Sequence, residues 1–89
     1  MTAYRYMLNG ARVQAEAYVV SGEDAGLLRG RAVFETLRTL NGVLFRGEQH
    51  VRRLLGSAEA LGIATPGLET LLTELEGSVD GYEHDAKVN

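Results

Sequence analysis

Ala32-Val33-Phe34-Glu35-Thr36-Leu37-Arg38-Thr39-Leu40-Asn41-Gly42-Val43-Leu44-Phe45-Arg46 is the stretch that decides the fold. Read at period two, Val33, Glu35, Leu37 and Thr39 fall on one side of an extended chain, and Phe34, Thr36, Arg38 and Leu40 on the other. Each side mixes apolar and polar residues, so a strand over 32–40 is expected to have protein contacts on both faces. Phe34, Leu37 and Arg38 also fit a helical period. The Asn41-Gly42 dipeptide decides between the two readings, because a type I′ turn needs two residues able to take φ > 0. Val43 to Arg46 is then the return strand of a β-hairpin.

The same signal stands upstream. Asn9-Gly10 separates two apolar, roughly alternating runs, Ala3 to Leu8 and Ala11 to Val20, and predicts a first hairpin. Between the hairpins, Ser21 to Arg31 carries Gly22, Gly26 and Gly30 with Glu23 and Asp24, the composition of a loop. Downstream the period changes. Val51, Leu54, Leu55, Ala58, Leu61 and Gly62 form one apolar stripe and predict a helix over 48–63, with Gly62 as its terminator. Thr65 as N-cap and Pro66 at the first helical position predict a second helix bearing Leu68, Leu71, Leu72 and Leu75 and ended by Gly77. The fold class expected is α+β: two antiparallel β-hairpins forming a sheet, with two helices packed on one face. Residues 1–76 read as the domain and 77–89 as a polar tail without a clear period.

The 89 residues allow one domain. A chain of this length buries only about 60% of the surface it exposes when unfolded, so a thin core is expected, and a partner surface would help. Hydrophobic residues at 45% and charged residues at 24% are ordinary for a globular protein. The net charge of -3 is too small to point to nucleic acid or a membrane as partner. There is no cysteine, which excludes disulfides and thiolate metal sites. No apolar run approaches the ~20 residues that span a bilayer. Met1 to Asn9 does not read as a signal peptide, and a cytoplasmic location is expected.

Of the 9 basic residues, only Lys87 is a lysine; the rest are arginines. Chemistry that requires a lysine amine must use Lys87 or another chain. A Schiff-base lysine needs a shaped, desolvated pocket, which a polar tail is not expected to supply. His50 and His84 are far apart and poorly accompanied, and Glu83-His84-Asp85 lies in the tail, so no metal site is expected. Gly26 and Gly30 are not followed by the Gly-Lys-Ser/Thr of a phosphate loop. His50, Arg53 and Ser57, at i, i+3 and i+7, share a flank beside the apolar stripe of the helix. A guanidinium on that flank offers a planar fork of donors suited to phosphate oxygens; the plainer reading is a solvated helix edge. Arg52, four residues after Glu48, reads as surface charge.

The run from Asp24 through Gly26-Leu27-Leu28, Gly30 and Val33-Phe34-Glu35-Thr36 to Arg38 resembles the D-x-G-L-L-x-G-D-G-V-F-E-T-x-R signature of class IV (fold-type IV) aminotransferases. Asn41-Gly42, Phe45, His50 with Arg53-Leu54, Ser57-Ala58, Leu61-Gly62-Ile63 and Pro66 follow in the family's order. The resemblance covers residues 8–66. Arg31 stands in place of the family aspartate and Ala32 in place of its second glycine. Ala disfavours φ > 0, so the tight Gly-Asp-Gly geometry is not expected to carry over.

The resemblance implies pyridoxal 5′-phosphate as cofactor of the complete enzyme, held on a lysine in a larger second domain. The reaction it implies is that of an aminotransferase or a 4-amino-4-deoxychorismate lyase, on an amino acid or chorismate-derived substrate. It implies Arg53 as a contact of the cofactor phosphate, Phe34 as a wall of the substrate pocket, and Arg29 and Arg38 as residues near the substrate, with Glu35 close to the same face. For each a plainer role stands beside this one: core aromatic for Phe34, solvated charge for the others. On this reading the chain is a cofactor-flanking small domain, truncated before the Schiff-base lysine. It is expected to be inactive and free of cofactor when alone, and to associate with a second copy or a missing C-terminal domain. The alternative is a non-catalytic, dimerising interaction module that retains the fold.

Overall fold

The computed structural model describes residues 4–82 and 84–89. The expected strand start at Ala3 and the Glu83 member of Glu83-His84-Asp85 lie outside the described residues. Strands β1 (Tyr6–Leu8) and β2 (Ala11–Val13) form the first hairpin, and a 3-10 turn spans Ala15–Ala17. A short helix α1 (Ala25–Arg29) leads to β3 (Leu37–Leu40) and β4 (Val43–Leu44). Helices α2 (Gly47–Ala60) and α3 (Leu68–Val79) follow, and β5 (Lys87–Val88) completes the order.

Both Asn-Gly turns form. Asn9 and Gly10 take φ of 51° and 80°, and Asn41 and Gly42 take 52° and 79°. Such left-handed pairs match the twist of the strands that they join. The register follows, with Leu8 opposite Ala11 and Leu40 opposite Val43.

The architecture is α+β, as the sequence predicts, with one correction to its sheet. Among the described residues the hairpins do not share a sheet: β1 and β2 pair with each other, while a second sheet has the order β4-β3-β5. The place beside β3 is taken by β5, from the segment read as a tail. Leu37 pairs with Val88 and Arg38 with Lys87, antiparallel. Sequence periodicity could not show this, because two residues are too few to display an alternation.

Several boundaries also move. The segment read as loop contains α1, capped by the Asp24 carboxylate, which accepts a hydrogen bond from the Gly26 N–H at 2.7 Å, and closed by Gly30 at φ 63°. Helix α2 ends as predicted on Gly62: the Gly62 N–H reaches the Glu59 carbonyl at 3.0 Å and the Ile63 N–H the Ala58 carbonyl at 2.8 Å. These are the two bonds of a Schellman motif, made possible by a φ of 68° at Gly62. Helix α3 is capped by Gly67 instead of Thr65, so Pro66 precedes the helix, and it runs past Gly77 to Val79.

Alternation along 33–40 is complete. Leu37 and Thr39 are buried and Val33 and Glu35 half-buried, while Phe34, Thr36, Arg38 and Leu40 are exposed. The expectation of protein contacts on both faces is corrected: within this chain one face is covered and the other is bare. The core is thin. Among the described residues, Leu37, Val51 and Ala58 are its buried hydrophobic residues and Thr39 its buried polar one. Helices α2 and α3 pack on each other, and Gly47 lets the start of α2 approach Leu44 and Leu72 closely. Arg5 fastens the end of α3, donating to the Asp80 carbonyl at 2.6 Å. Among the described residues no helix is long and apolar enough to cross a membrane.

Candidate functional site

A polar cluster joins the strand to the helix. Glu35, on the inward face two residues before β3, has a side chain only 8% exposed. Burying a carboxylate is costly unless it is paired and hydrogen-bonded, and α2 supplies both. Arg53 donates from Nε to Oε1 at 2.5 Å and from Nη2 to Oε2 at 2.8 Å. His50, one turn earlier on the same helix flank, places Nδ1 3.0 Å from Oε2. The bidentate Arg53 fork, and then the His50 contact, push the Glu35 carboxyl down from 4.5 to about 2. The carboxylate in turn pushes Arg53 further above its ordinary value. Both charges are therefore fixed across the whole working pH range.

The sequence grouped His50, Arg53 and Ser57, and the structure brings the first two together on Glu35. Ser57 is exposed and serves the end of α2, its carbonyl accepting the Leu61 N–H at 3.2 Å. Glu35, read as lying near the same face, is the hub that binds the other two. Its 18-residue separation from Arg53 hides the pair from any helical or strand period.

Arg53 is anchored on one edge and open on the other. Its side chain is 72% exposed, and the Glu35 bonds use Nε and Nη2. The outer edge, Nη1 with the second hydrogen of Nη2, is a donor pair of the geometry that grips phosphate oxygens. The remaining predicted positions lie elsewhere. Phe34 is 86% exposed and projects from the bare face. Arg38 shares that face and lies 5.4 Å from the Phe45 ring centroid, with Arg46 5.3 Å from the same ring. Arg29 closes the exposed end of α1.

Two clefts open on the surface. One, of 440 Å³, lies between the second hairpin and the ends of α2 and α3, near Val43, Leu44, Leu72 and Tyr82. The other, of 550 Å³, lies under the α2–α3 connection near Leu55, Ile63 and Pro66. Neither includes Arg29, Phe34, Arg38 or Arg53. The sole lysine, Lys87, is exposed on β5. The donor set thus suits the anionic end of a pyridoxal phosphate, while a cavity that closes around its ring and a buried amine are not provided by these residues alone. Among the described residues no group of three His, Asp or Glu side chains is placed to hold a metal ion.

One further residue acquires a role that its replacement pattern did not reveal. Arg31, where the resemblance has aspartate, donates from Nη2 to the Gly62 carbonyl at 2.7 Å. It ties the loop after α1 to the C-terminal turn of α2. Ala32 does not need a positive φ, since Gly30 alone makes the left-handed turn.

Comparison with known proteins gives a consistent direction over part of the chain. Over 59 residues it is 44% identical to a protein of Methanocaldococcus jannaschii named provisionally as a branched-chain-amino-acid aminotransferase; the match covers 66% of this chain and 20% of that protein. A D-alanine aminotransferase of Staphylococcus epidermidis is 37% identical over 59 residues, covering 66% of this chain and 21% of its own. A D-alanine aminotransferase of Listeria monocytogenes is 32% identical over 71 residues, covering 80% and 25%. The matched region is aminotransferase-related, and the chain spans a fifth to a quarter of these relatives' length. No family model and no solved structure matches the chain.

Proposed function

We propose that this chain forms one wall of the cofactor and substrate space of a class IV, pyridoxal-phosphate-dependent aminotransferase. The amine that carries the cofactor comes, on this reading, from polypeptide outside these 89 residues, because Lys87 sits exposed on an edge strand. The observation that carries the proposal is the identity of 37–44% with aminotransferases across 59 residues. The geometry adds a physical role. Glu35, itself bonded to His50, anchors Arg53 through Nε and Nη2 and leaves its outer edge exposed, already oriented for a phosphate. Orienting a long side chain in advance removes part of the ordering cost of binding. The relatives' names favour an amino acid over a chorismate-derived substrate, and hence amino-group transfer over the lyase reaction.

Phe34 and Arg38, on the same bare strand face with Thr36 between them, are the substrate-side candidates, with Arg29 at the end of α1. A bare face bearing Phe34 also supports the partner reading: it is a surface that a second copy or a further domain would cover. A purely structural, non-catalytic module shares that surface but gives Arg53 no ligand.

Titration of the chain with pyridoxal phosphate and, separately, with pyridoxal tests the assignment. Arg53 side-chain N–H resonances are expected to shift with the phosphate ester and not with the unphosphorylated aldehyde, and no aldimine absorbance is expected. Arg53→Met should abolish the shift. An Arg53 signal indifferent to both compounds would defeat the phosphate assignment and leave the interaction module standing.

A further inference from the structure

Arg5, Arg31, Arg52 and Arg53 are each paired with an oxygen of the chain. Arg38, Arg46 and Lys87 are exposed, and among the described residues none of the three makes an ion pair. The sheet brings these three together. Arg38 lies directly opposite Lys87 across β3 and β5. Residues so paired share a face with Cβ atoms about 5 Å apart, and like charges there disfavour the sheet. On the other side of β3 the Phe45 N–H donates to the Arg38 carbonyl at 2.9 Å, one step beyond the Thr39–Leu44 pair. The guanidinium of Arg38 lies 5.4 Å, and that of Arg46 5.3 Å, from the centre of the Phe45 ring.

The register that sets Lys87 against Arg38 is held by side chains as well as by the main chain. The Thr39 N–H donates to the Ala86 carbonyl at 2.9 Å, and the Ala86 N–H donates at 2.8 Å to Oγ1 of the buried Thr39. The Thr36 hydroxyl lies 2.9 Å from the Asn89 side-chain oxygen. Asp85, the carboxylate two residues before Lys87, is engaged by the Asn41 N–H at 3.0 Å. Arg46 takes φ 56°, a disfavoured backbone for a residue with a Cβ. The turn into α2 thus places a strained residue where its cation meets the ring.

We infer that Arg38, Arg46 and Lys87, gathered around Phe45, form a binding site for a small dicarboxylate on the outer face of the sheet. The spacing selects the ligand. Neighbouring strands lie about 4.8 Å apart, so cations running from β5 across β3 to the end of β4 span roughly 10 Å. A compact anion would draw three long side chains to one point, against their mutual repulsion and the entropy of ordering them. Two carboxylates joined by a few methylenes meet cations on both flanks, and the methylenes lie over the Phe45 ring, which is 40% exposed. Such a ligand also offsets the repulsion between Arg38 and Lys87. The inference goes beyond the proposed function and stands without it, because Arg53 belongs to the cluster on Glu35, which faces inward.

Titration of the whole chain with glutarate at constant ionic strength tests the site, with butyrate and inorganic phosphate as compact comparisons. Side-chain N–H resonances of Arg38 and Arg46 and the side-chain resonances of Lys87 are expected to shift together. Glutarate should bind at least about fivefold more tightly than butyrate or phosphate, as the loss of an exposed ion pair or two implies. Lys87→Gln and Arg46→Asn should each weaken glutarate binding by about two- to fivefold. Asn suits the second position because this chain already carries left-handed Asn9 and Asn41, so the turn is kept while the cation is removed. Arg52→Gln, on the far side of α2 and paired with Glu48, should change nothing. Glutarate shifts absent from Arg38 and Lys87, or an equal loss with Arg52→Gln, would overturn the site, and phosphate binding as tightly as glutarate would overturn its choice of ligand. The phosphate assignment in the proposed function is read at Arg53, so either reading can fail without the other.

Discussion

Acidification should unfasten the strand–helix cluster at a pH set by Glu35. The carboxyl titrates from 4.5 in the unfolded chain to about 2 in the folded one, chiefly through the Arg53 fork and then through His50. Because the folded value is the lower, the pair's contribution to stability is complete above 4.5. As pH falls below that, the unfolded chain takes up the proton first and unfolding is favoured. By about 2 the folded carboxyl is protonated as well, and the contribution has gone. Carboxyl-carbon NMR across pH 1–7 reads the midpoint directly, and urea midpoints over the same range read its effect on stability. Arg53→Met should move the Glu35 midpoint most of the way back to 4.5, and His50→Phe should move it less, following the order of the two causes. Glu35→Gln should be less stable than wild type at neutral pH, with the difference vanishing as pH falls from 4.5 to 2. A Glu35 midpoint at the ordinary carboxylate value, or one unmoved by Arg53→Met, would show that the fork does not persist in solution and would remove the orientation assigned to Arg53.

Leu37→Ala empties a buried hydrophobic position and should cost about 2–4 kcal/mol, measured by denaturant unfolding; a loss well under 1 kcal/mol would mean that the site collapses freely. Gly42→Ala leaves open space around the new Cβ but forces it to φ 79°, so it should cost roughly 1–2 kcal/mol. Gly56→Ala, mid-helix and equally unobstructed, should instead gain about 0.5–1 kcal/mol. Opposite signs for these two glycines in the same unfolding assay check the turn assignment.

What the sequence made legible was local. Asn9-Gly10 and Asn41-Gly42 announce their turns because few residue pairs tolerate two left-handed positions. The period of two along 33–40 was legible, but which set faces inward was not, because both sets mix apolar and polar residues and only the fold turns Val33, Glu35, Leu37 and Thr39 toward the core. Gly62 ends α2 for the same conformational reason. Less legible were the features made by distant residues. Lys87 and Val88 join β3 through a register fixed largely by Thr39, Asp85 and Asn89 side chains, and nothing in a two-residue strand advertises that. Thr65-Pro66 carried a sound capping signal, yet Gly67 won the cap, since the chain needs Ile63 to Pro66 to turn between two packed helices. At the candidate site the helix flank showed His50 and Arg53, but the carboxylate that orients them comes from the strand, and only the fold joins the two.

The surface itself supports the partner in the proposed function. A compact monomer of 9.7 kDa exposes about 5,100 Å², whereas this chain exposes 6979 Å². The radius of gyration, 13.7 Å, likewise exceeds the roughly 12 Å of a compact chain this long. An excess of about 1,900 Å² is comparable with the whole area buried in a standard protein interface. Leu27, Leu28 and Phe34, each more than half exposed, contribute to it within the stretch that resembles the aminotransferase signature. Among the described residues, buried Leu37 of β3 and Val51 and Ala58 of α2 make up the hydrophobic core, while the outer face carries Phe34, 86% exposed, and Arg38, whose guanidinium meets only the Phe45 ring. A second polypeptide seated there would supply the missing half of the core and, in the same movement, enclose Phe34 and Arg38. Hydrogen exchange compared at low and high protein concentration, or with and without a candidate partner domain, should therefore show protection gained first at residues 27–40. Protection gained elsewhere, with that stretch unchanged, would place the partner on a different face.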